Sequence, residues 1–146
     1  VRCFEDANIV HVDGSVDPVR DKGVIDTELQ LKDLETVENR IAKVAKQAQT
    51  GGDKIAKRQY DILIRYKEAL EQGLSARTVE LDKEERKVVQ DLNLLTDKPV
   101  LYLCNVDEKS AVTGNKYTEA VAEAIKDENA EMLGLRAFVW NIEQYY

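Results

Sequence analysis

The chain has 146 residues, of which 43% are hydrophobic and 34% charged, and its net charge is −7. This acidic balance argues against a protein that coats nucleic acid over its whole surface. No run approaches the roughly 18 apolar residues of a membrane helix, and no signal-peptide pattern is present, so we expect a cytoplasmic protein without a membrane partner.

The first residues, 1–4, predict a buried strand, and a polar loop follows with a weak strand pattern over 9–12 and a turn at Asp13-Gly14. Because the chain begins inside a strand-like run, we expect a piece of a longer protein. Cys3 lies in this first run and Cys104 in a later one, where a cysteine is usually a small buried hydrophobe. The single histidine, His11, excludes a His-rich metal site, and Cys3, Cys104 and His11 fit no ligand spacing, so a metal or thiol enzyme is disfavoured.

A helix is predicted to begin at Pro18 with Asp17 as its N-cap. Apolar residues at spacings of three and four then indicate the buried stripe of that helix. The stripe consists of Leu34, Val37, Ile41, Val44 and Ala48.

The segment Thr50-Gly51-Gly52-Asp53 predicts a turn with a new N-cap, and Gly73 predicts the end of the helix that follows. The stripe of this second helix consists of Ile55, Gln59, Ile62, Tyr66 and Ala69. Two long helices with matching stripes and a short turn predict an antiparallel helical hairpin.

A third helix is predicted after Ser75 and Thr78, and it stops at residues 97–99. Its stripe consists of Leu81, Glu85, Val88, Leu92 and Leu95. A buried strand over residues 100–104 follows, then a helix over 117–126 and a last strand over 132–140. The inward residues of that helix are Ala120, Val121, Ala124 and Ile125. The order predicts an α/β sheet interrupted by a helical insertion.

The hairpin concentrates positive charge, since residues 40–67 carry eight basic and only two acidic side chains, a net charge of +6 in an acidic chain. Such a surface fits the phosphate backbone of RNA, recognised by shape and charge, because only Tyr60 and Tyr66 could stack on bases. No sequence-specific DNA reading is expected. The predicted nucleic-acid contacts are Arg40, Lys43, Lys46, Lys54, Lys57 and Arg58. A solvated helix face explains the same charges equally well.

The strand over 100–104 is followed directly by Asn105-Val106-Asp107-Glu108. In the guanine-binding motif Asn-Lys-x-Asp, an amide comes first and a carboxylate fourth, as Asn105 and Glu108 do here. Taken alone, these four residues indicate a polar turn more often than a nucleotide site.

Longer segments of the sequence favour the nucleotide site over the polar turn. FEDANIVHVDGSVDPVRD, VIDTELQLKDLETVENRI and LLTDKPVLYLCNVDE closely resemble the Obg-related nucleotide hydrolases of the YchF family, also called Obg-like ATPases. The resemblance spans residues 1 to about 131, in the family's order and spacing. It implies a partial P-loop NTPase (G-domain) α/β sheet interrupted by an inserted, coiled-coil-like antiparallel hairpin. The implied boundaries are residues 1–28 and 86–146 for the nucleotide-binding domain and 29–85 for the helical insertion.

By this resemblance, Asn105, Val106 and Glu108 form the family's altered fourth motif and bind the base of ATP or GTP, with ATP preferred. The motif G-x-x-x-x-G-K-[ST], which cradles phosphates, is absent from the chain, and no DxxG-type switch segment is present. The resemblance places these elements, and the Mg²⁺ ligands, outside the chain, so we expect the chain alone to be inactive.

The end of the chain departs from the family pattern. The family continues into a strand and a small Ser-Ala loop that covers the base, whereas GLRAFVWNIEQYY has neither and is aromatic-rich, with Trp140, Tyr145 and Tyr146. No site residue is assigned there.

The leading hypothesis is therefore a fragment of an ATP/GTP hydrolase that acts as a ribosome-associated switch, with the basic hairpin as its contact arm. The alternative is a non-catalytic coiled-coil module that binds another protein through the hairpin.

Overall fold

The structure is a computed structural model that describes residues 1–8 and 14–136, except for the side chains of residues 135 and 136. His11, the weak strand pattern over 9–12 and the tail with Trp140, Tyr145 and Tyr146 lie outside the described residues. So do the last four residues of the predicted strand over 132–140. Within the described part, no helix combines the length and the apolar character that crossing a membrane requires.

The described elements are mostly helical, with two strands. In chain order they are α1 (Pro18–Gln49), α2 (Lys54–Glu71), α3 (Lys83–Val89), β1 (Leu101–Val106), α4 (Ser110–Thr113), α5 (Lys116–Ile125) and β2 (Glu131–Arg136). They form two compact units. Unit 1 combines Val1–Gly23 with Pro99–Tyr146, and unit 2 is Val24–Lys98.

Unit 1 is built on parallel strands. β1 and β2 pair in parallel from Leu101 opposite Glu131 to Val106 opposite Arg136. On the other side of β1, the predicted first strand is reduced to a single parallel bridge between Arg2 and Asn105. The predicted strand over 100–104 in fact continues through residue 106, so Asn105 lies inside the strand.

Among the described residues of unit 1, the buried hydrophobic side chains that pack together as its core are Cys3, Cys104, Val106, Val121 and Ile125. The prediction that both cysteines are buried is confirmed, and their thiols are free. On α5, Val121 and Ile125 face inward as predicted, whereas Ala120 and Ala124 are exposed. Alanine carries little apolar area, so leaving these two side chains exposed to water costs little free energy.

The hairpin of unit 2 is confirmed. The Oδ1 atom of Asp53 accepts hydrogen bonds from the amides of Ile55 (2.9 Å) and Ala56 (3.0 Å) and thereby begins α2. At the other end, Gly73 adopts φ +74°, and the amides of Gly73 and Leu74 close back on the last turn at Leu70 and Ala69. This is the Schellman ending that a C-terminal glycine favours.

The two helices of the hairpin share one core. Its members from α1 and α2 are Val37, Val44, Ile62, Leu63, Tyr66 and Leu70, with Leu34 and Ile41 packed against them. The prediction that Ile55 belongs to this stripe is wrong, because Ile55 is 70% exposed while Ala56 is 4% exposed. Ile55 lies in the first turn of α2, beside the hairpin turn, where a side chain has neighbours on fewer sides than in the middle of a helix.

The predicted long third helix is also wrong. Within the region predicted to form this helix, only α3 is an α-helix. It begins after Asp82, which forms a reciprocal capping box with Glu85. Tighter turns follow, and Asn93 adopts a left-handed conformation with φ +50°. A left-handed residue ends a helix, so the apolar periodicity from Leu81 to Leu95 is carried by short segments rather than by one helix.

Candidate functional site

The parallel segments of unit 1 end at a common edge. Residues 1–4, β1 and β2 all run in the same direction, so the residues that follow them emerge together. In open α/β sheets the carboxyl edge is where ligands bind. This edge carries the predicted base-binding residues.

Asn105 presents its side chain to solvent from a fixed backbone. Its amide donates to the carbonyl of Val1 (2.8 Å), and its carbonyl accepts from the amide of Cys3 (2.7 Å). Because the neighbouring segment satisfies both backbone groups, the carboxamide of Asn105 is held at the edge and is available to a ligand.

Val106 and Glu108 point in different directions. The side chain of Val106 is 2% exposed and lies in the core of unit 1, so it can touch a ligand only through its backbone. Glu108 follows the strand and is exposed. The structure therefore brings Asn105 and Glu108 to the same edge and turns the side chain of Val106 away from it.

Asp107 shapes the turn between these residues and α4. Its Oδ1 atom accepts a hydrogen bond from the amide of Ser110 (2.8 Å). The hydrogen bonds with Ser110 hold the pKa of the Asp107 carboxyl below its usual value, so it stays ionised at neutral pH.

A further cluster at this edge escaped the sequence reasoning. Glu5, which follows the first segment, accepts a hydrogen bond from the hydroxyl of Tyr117 and lies 3.7 Å from Nζ of Lys116. These contacts lower the pKa of Glu5, with the Tyr117 hydrogen bond as the main cause. Asn115 caps α5 and also donates through Nδ2 to the carbonyl of Cys3 (2.7 Å). The partners are separated by 112 residues, so no local pattern could reveal them.

Cys3 and Cys104 are poor candidates for chemistry. Both side chains are fully buried, and burial, together with the neighbouring Cys104, raises the pKa of the Cys3 thiol far above its usual range. The thiolate is the nucleophilic and metal-binding form, so Cys3 stays protonated and unreactive at neutral pH.

The basic residues of the hairpin separate into two groups. Four of them form ion pairs, and we call these the shaft cations: Arg40 with Asp91, Arg58 with Asp82, Arg65 with Glu85, and Lys67 with Glu38. The other four are exposed and flank the turn at Gly51-Gly52, and we call them the tip lysines: Lys43, Lys46, Lys54 and Lys57. Across residues 1–8 and 14–136, no ion pair involves a tip lysine.

These observations define an α/β protein with polar residues at the carboxyl edge of parallel strands and a helical hairpin with a basic tip. No family model matches the chain. It is 46% identical over 135 residues to the ribosome-binding ATPase YchF of Bacillus subtilis, and the matched region covers 91% of this chain and 37% of that protein. It is 39% identical over 109 residues to Obg-like ATPase 1 of Oryza sativa subsp. indica, covering 75% of this chain and 28% of that protein.

Among solved structures, the Schizosaccharomyces pombe YchF GTPase superposes with a TM-score of 0.80 and 32% identity, over 94% of this chain and 39% of that one. The chain belongs to the YchF / Obg-like ATPase family. It spans less than two fifths of the length of these relatives.

Proposed function

We propose that this chain is part of an ATP/GTP-binding hydrolase, in which it supplies the base-recognition edge and a basic helical arm. The observation that carries the proposal is the exposed carboxamide of Asn105 on a hydrogen-bonded backbone at the carboxyl edge of parallel strands, with the exposed Glu108 three residues further along the chain. In this proposal unit 1 is part of a P-loop NTPase sheet that the antiparallel hairpin interrupts. The boundaries at 28/29 and 85/86 stay predictions.

ATP is the preferred nucleotide in this proposal. A guanine site needs a carboxylate that accepts from the N1–H and the 2-amino group of the base together, and Glu108 is one methylene longer than the aspartate that normally does so. Val106 stands where the guanine motif has lysine, and its buried side chain cannot line the base. A site that leaves the donors of guanine badly paired loses most of its discrimination in favour of guanine.

The phosphate chemistry belongs to residues outside this chain. Its sequence contains no phosphate-cradling loop. Among residues 1–8 and 14–136, no three His, Cys, Asp or Glu side chains are grouped closely enough to hold a metal ion. The residues described do not fit a Mg²⁺–triphosphate, and we derive no catalytic step from them.

The basic arm is proposed to contact RNA or the ribosome, which would place the protein in the cytoplasm. Its proposed contacts are Arg40, Lys43, Lys46, Lys54, Lys57 and Arg58. The support is the ribosome-binding ATPase among the relatives and the four tip lysines. Nucleotide state would then bias the engagement of the arm, provided that the two states contact the ribosome differently. The alternative, a hairpin that binds another protein, is favoured by exposed apolar side chains on its helices, among them Leu31 and Ile55.

Hydrolysis assays test the catalytic part of the proposal. The intact protein, meaning a protein of the relatives' length that contains this chain, is expected to release phosphate from ATP at least as fast as from GTP. The 146-residue chain alone is expected to release none. An intact protein that hydrolyses neither nucleotide contradicts the proposal, and so does a chain that is active alone.

A further inference from the structure

Unit 2 contains a pocket that the function proposed above does not use. Its volume is about 230 Å³, and its lining residues come from α2, α3 and the segment 90–98. All of them belong to unit 2. The buried part of the wall is formed by Tyr66, Val89 and Leu94, and three charged side chains complete it, which are Arg86, Asp97 and Lys98.

The hydroxyl of Tyr66 has no hydrogen-bond partner in the described part of the chain. The residue is 1% exposed, and its side chain packs in the hairpin core. Among residues 1–8 and 14–136 this hydroxyl forms no hydrogen bond, yet no side-chain oxygen or nitrogen of these residues is sealed in the interior without a partner. The hydroxyl therefore opens into the pocket that Tyr66 lines. Since buried polar groups nearly always have a partner, an unpaired hydroxyl on a pocket wall indicates a water molecule or a ligand there.

This hydroxyl is a hydrogen-bond donor at neutral pH. Burial, and to a smaller extent the negative charge of Asp97, raise the pKa of Tyr66 to about 12. The phenol group consequently keeps its proton and can donate it to an acceptor in the pocket.

The two cations of the pocket are poorly compensated by the protein. Among the described residues, the guanidinium of Arg86 makes one ion pair, with Asp97, and its Nη1 atom lies 3.9 Å from Oδ1, which is too long for a hydrogen bond. The ammonium of Lys98 makes no ion pair in that part of the chain. Two positive charges and one negative charge give the lining a net charge of +1.

A small carboxylate fits this lining better than a phosphate does. Its oxygens accept hydrogen bonds from a guanidinium, an ammonium and a hydroxyl, and its single negative charge neutralises the pocket. A phosphate group carries about −1.5 to −2 at neutral pH, which exceeds the charge of the lining and is repelled by Asp97. An apolar cavity of about 150 Å³ is large enough for benzene, so this pocket has room for a ring-sized apolar group beside the carboxylate.

We propose that the pocket binds a small organic carboxylate whose oxygens accept from the hydroxyl of Tyr66 and the guanidinium of Arg86. Lys98 supplies the charge that balances the ligand, and the apolar part of the ligand lies against Val89 and Leu94. The inference is independent of the nucleotide site and of the proposed RNA role of the arm, so its failure leaves both untouched.

The test measures the affinity of the intact protein for benzoate and acetate by ligand-observed NMR. Benzamide serves as the neutral counterpart of benzoate, and inorganic phosphate as the more highly charged anion. Tyr66→Phe removes the hydroxyl and keeps the ring, Arg86→Gln removes the guanidinium, and Asp97→Asn removes the negative charge. The matched control is Lys87→Gln, because Lys87 is an exposed cation of the same helix that does not line the pocket.

We expect benzoate to bind with a Kd of about 1 mM or lower, and benzamide at least about tenfold more weakly. Tyr66→Phe and Arg86→Gln are each expected to lose at least about fivefold in affinity for benzoate, and Lys87→Gln less than about twofold. Asp97→Asn is expected to bind benzoate more tightly, because a repelling charge is gone. Misfolding cannot imitate tighter binding.

The stability of Tyr66→Phe separates a ligand contact from a structural role. The hydroxyl that this variant removes has no partner among the described residues, so the urea midpoint of the ligand-free protein should stay unchanged while the affinity for benzoate falls.

Four results would overturn the inference. If the unmodified protein binds neither benzoate nor acetate, or binds benzoate no better than benzamide, the pocket holds only water. If phosphate binds more tightly than benzoate, the carboxylate class is wrong. If a folded Tyr66→Phe variant binds benzoate as tightly as the unmodified protein, the hydroxyl does not contact the ligand. If Lys87→Gln weakens binding as much as Arg86→Gln does, the protein attracts anions without a site.

Discussion

At the scale of single residues, Asp33 is a buried carboxylate on α1 that accepts three hydrogen bonds. Its carboxylate is 1% exposed and accepts hydrogen bonds of 2.7 Å from the amide of Leu95 and from both the amide and the hydroxyl of Thr96. The hydroxyl oxygen of Thr96 in turn accepts from the amide of Ala76 (2.7 Å). One carboxylate thereby fixes α1 to two loops of unit 2.

Replacing Asp33 by alanine is expected to lower the free energy of unfolding by about 3 kcal/mol, because it leaves buried amides without an acceptor. The control is Glu35→Ala, which removes an exposed ion pair with Lys32 on the same helix and should change stability by less than about 0.5 kcal/mol. Urea denaturation measures both. Equal effects of the two substitutions would show that Asp33 does not hold the loops.

The sequence predicts local residue roles well and distant ones poorly. Asp17, Asp53 and Gly73 were recognisable because a helix end depends on atoms within a few residues, and Oδ1 of Asp17 indeed accepts a hydrogen bond from the amide of Arg20 (3.0 Å) at the start of α1. Asp33 was not recognisable, since its partners are more than 60 residues away and an aspartate on a helix normally faces water. The buried side chain of Val106 was missed because the strand continues past residue 104, and strand alternation then turns Val106 inward.

At the scale of elements, the middle of the hairpin carries its stability. Ile62→Ala removes a fully buried side chain from the shared core and is expected to cost about 3 kcal/mol. Ile55→Ala is the matched control on the same helix and should cost less than about 0.5 kcal/mol, because Ile55 is 70% exposed. Thermal or urea unfolding followed by circular dichroism measures the loss of stability in each variant. A large loss of stability in Ile55→Ala would contradict the prediction, because it would show that the side chain of Ile55 is packed.

Element type followed from periodicity, but element length did not always do so. The hairpin helices were predicted because a stripe of three- and four-residue spacings runs through each of them. The same spacing between Leu81 and Leu95 wrongly predicted one long helix. Short segments joined by the left-handed Asn93 can place apolar residues at similar intervals. The capping box of Asp82 and Glu85 was the local signal that marked the true start of α3.

At the scale of the whole molecule, function is divided between the two units. Unit 1 carries the candidate base-recognition edge, and unit 2 carries the hairpin with its basic tip. Family membership came from long matching segments, which the relatives and the S. pombe structure confirm. The Glu5, Lys116 and Tyr117 cluster could not be read from the sequence, because only the parallel pairing of the strands brings its members to one edge.

The most direct test of the account is equilibrium binding of fluorescent ATP and GTP to the intact protein and to its Asn105→Ala variant. The account predicts that the intact protein binds ATP at least as tightly as GTP and that Asn105→Ala weakens both, because the fixed carboxamide at the strand edge is lost. The side chain of Asn105 is exposed, so the variant should remain folded. Unchanged affinity in a folded Asn105→Ala variant would contradict the account, because the edge that holds Asn105 and Glu108 would then be a polar turn and not a nucleotide site.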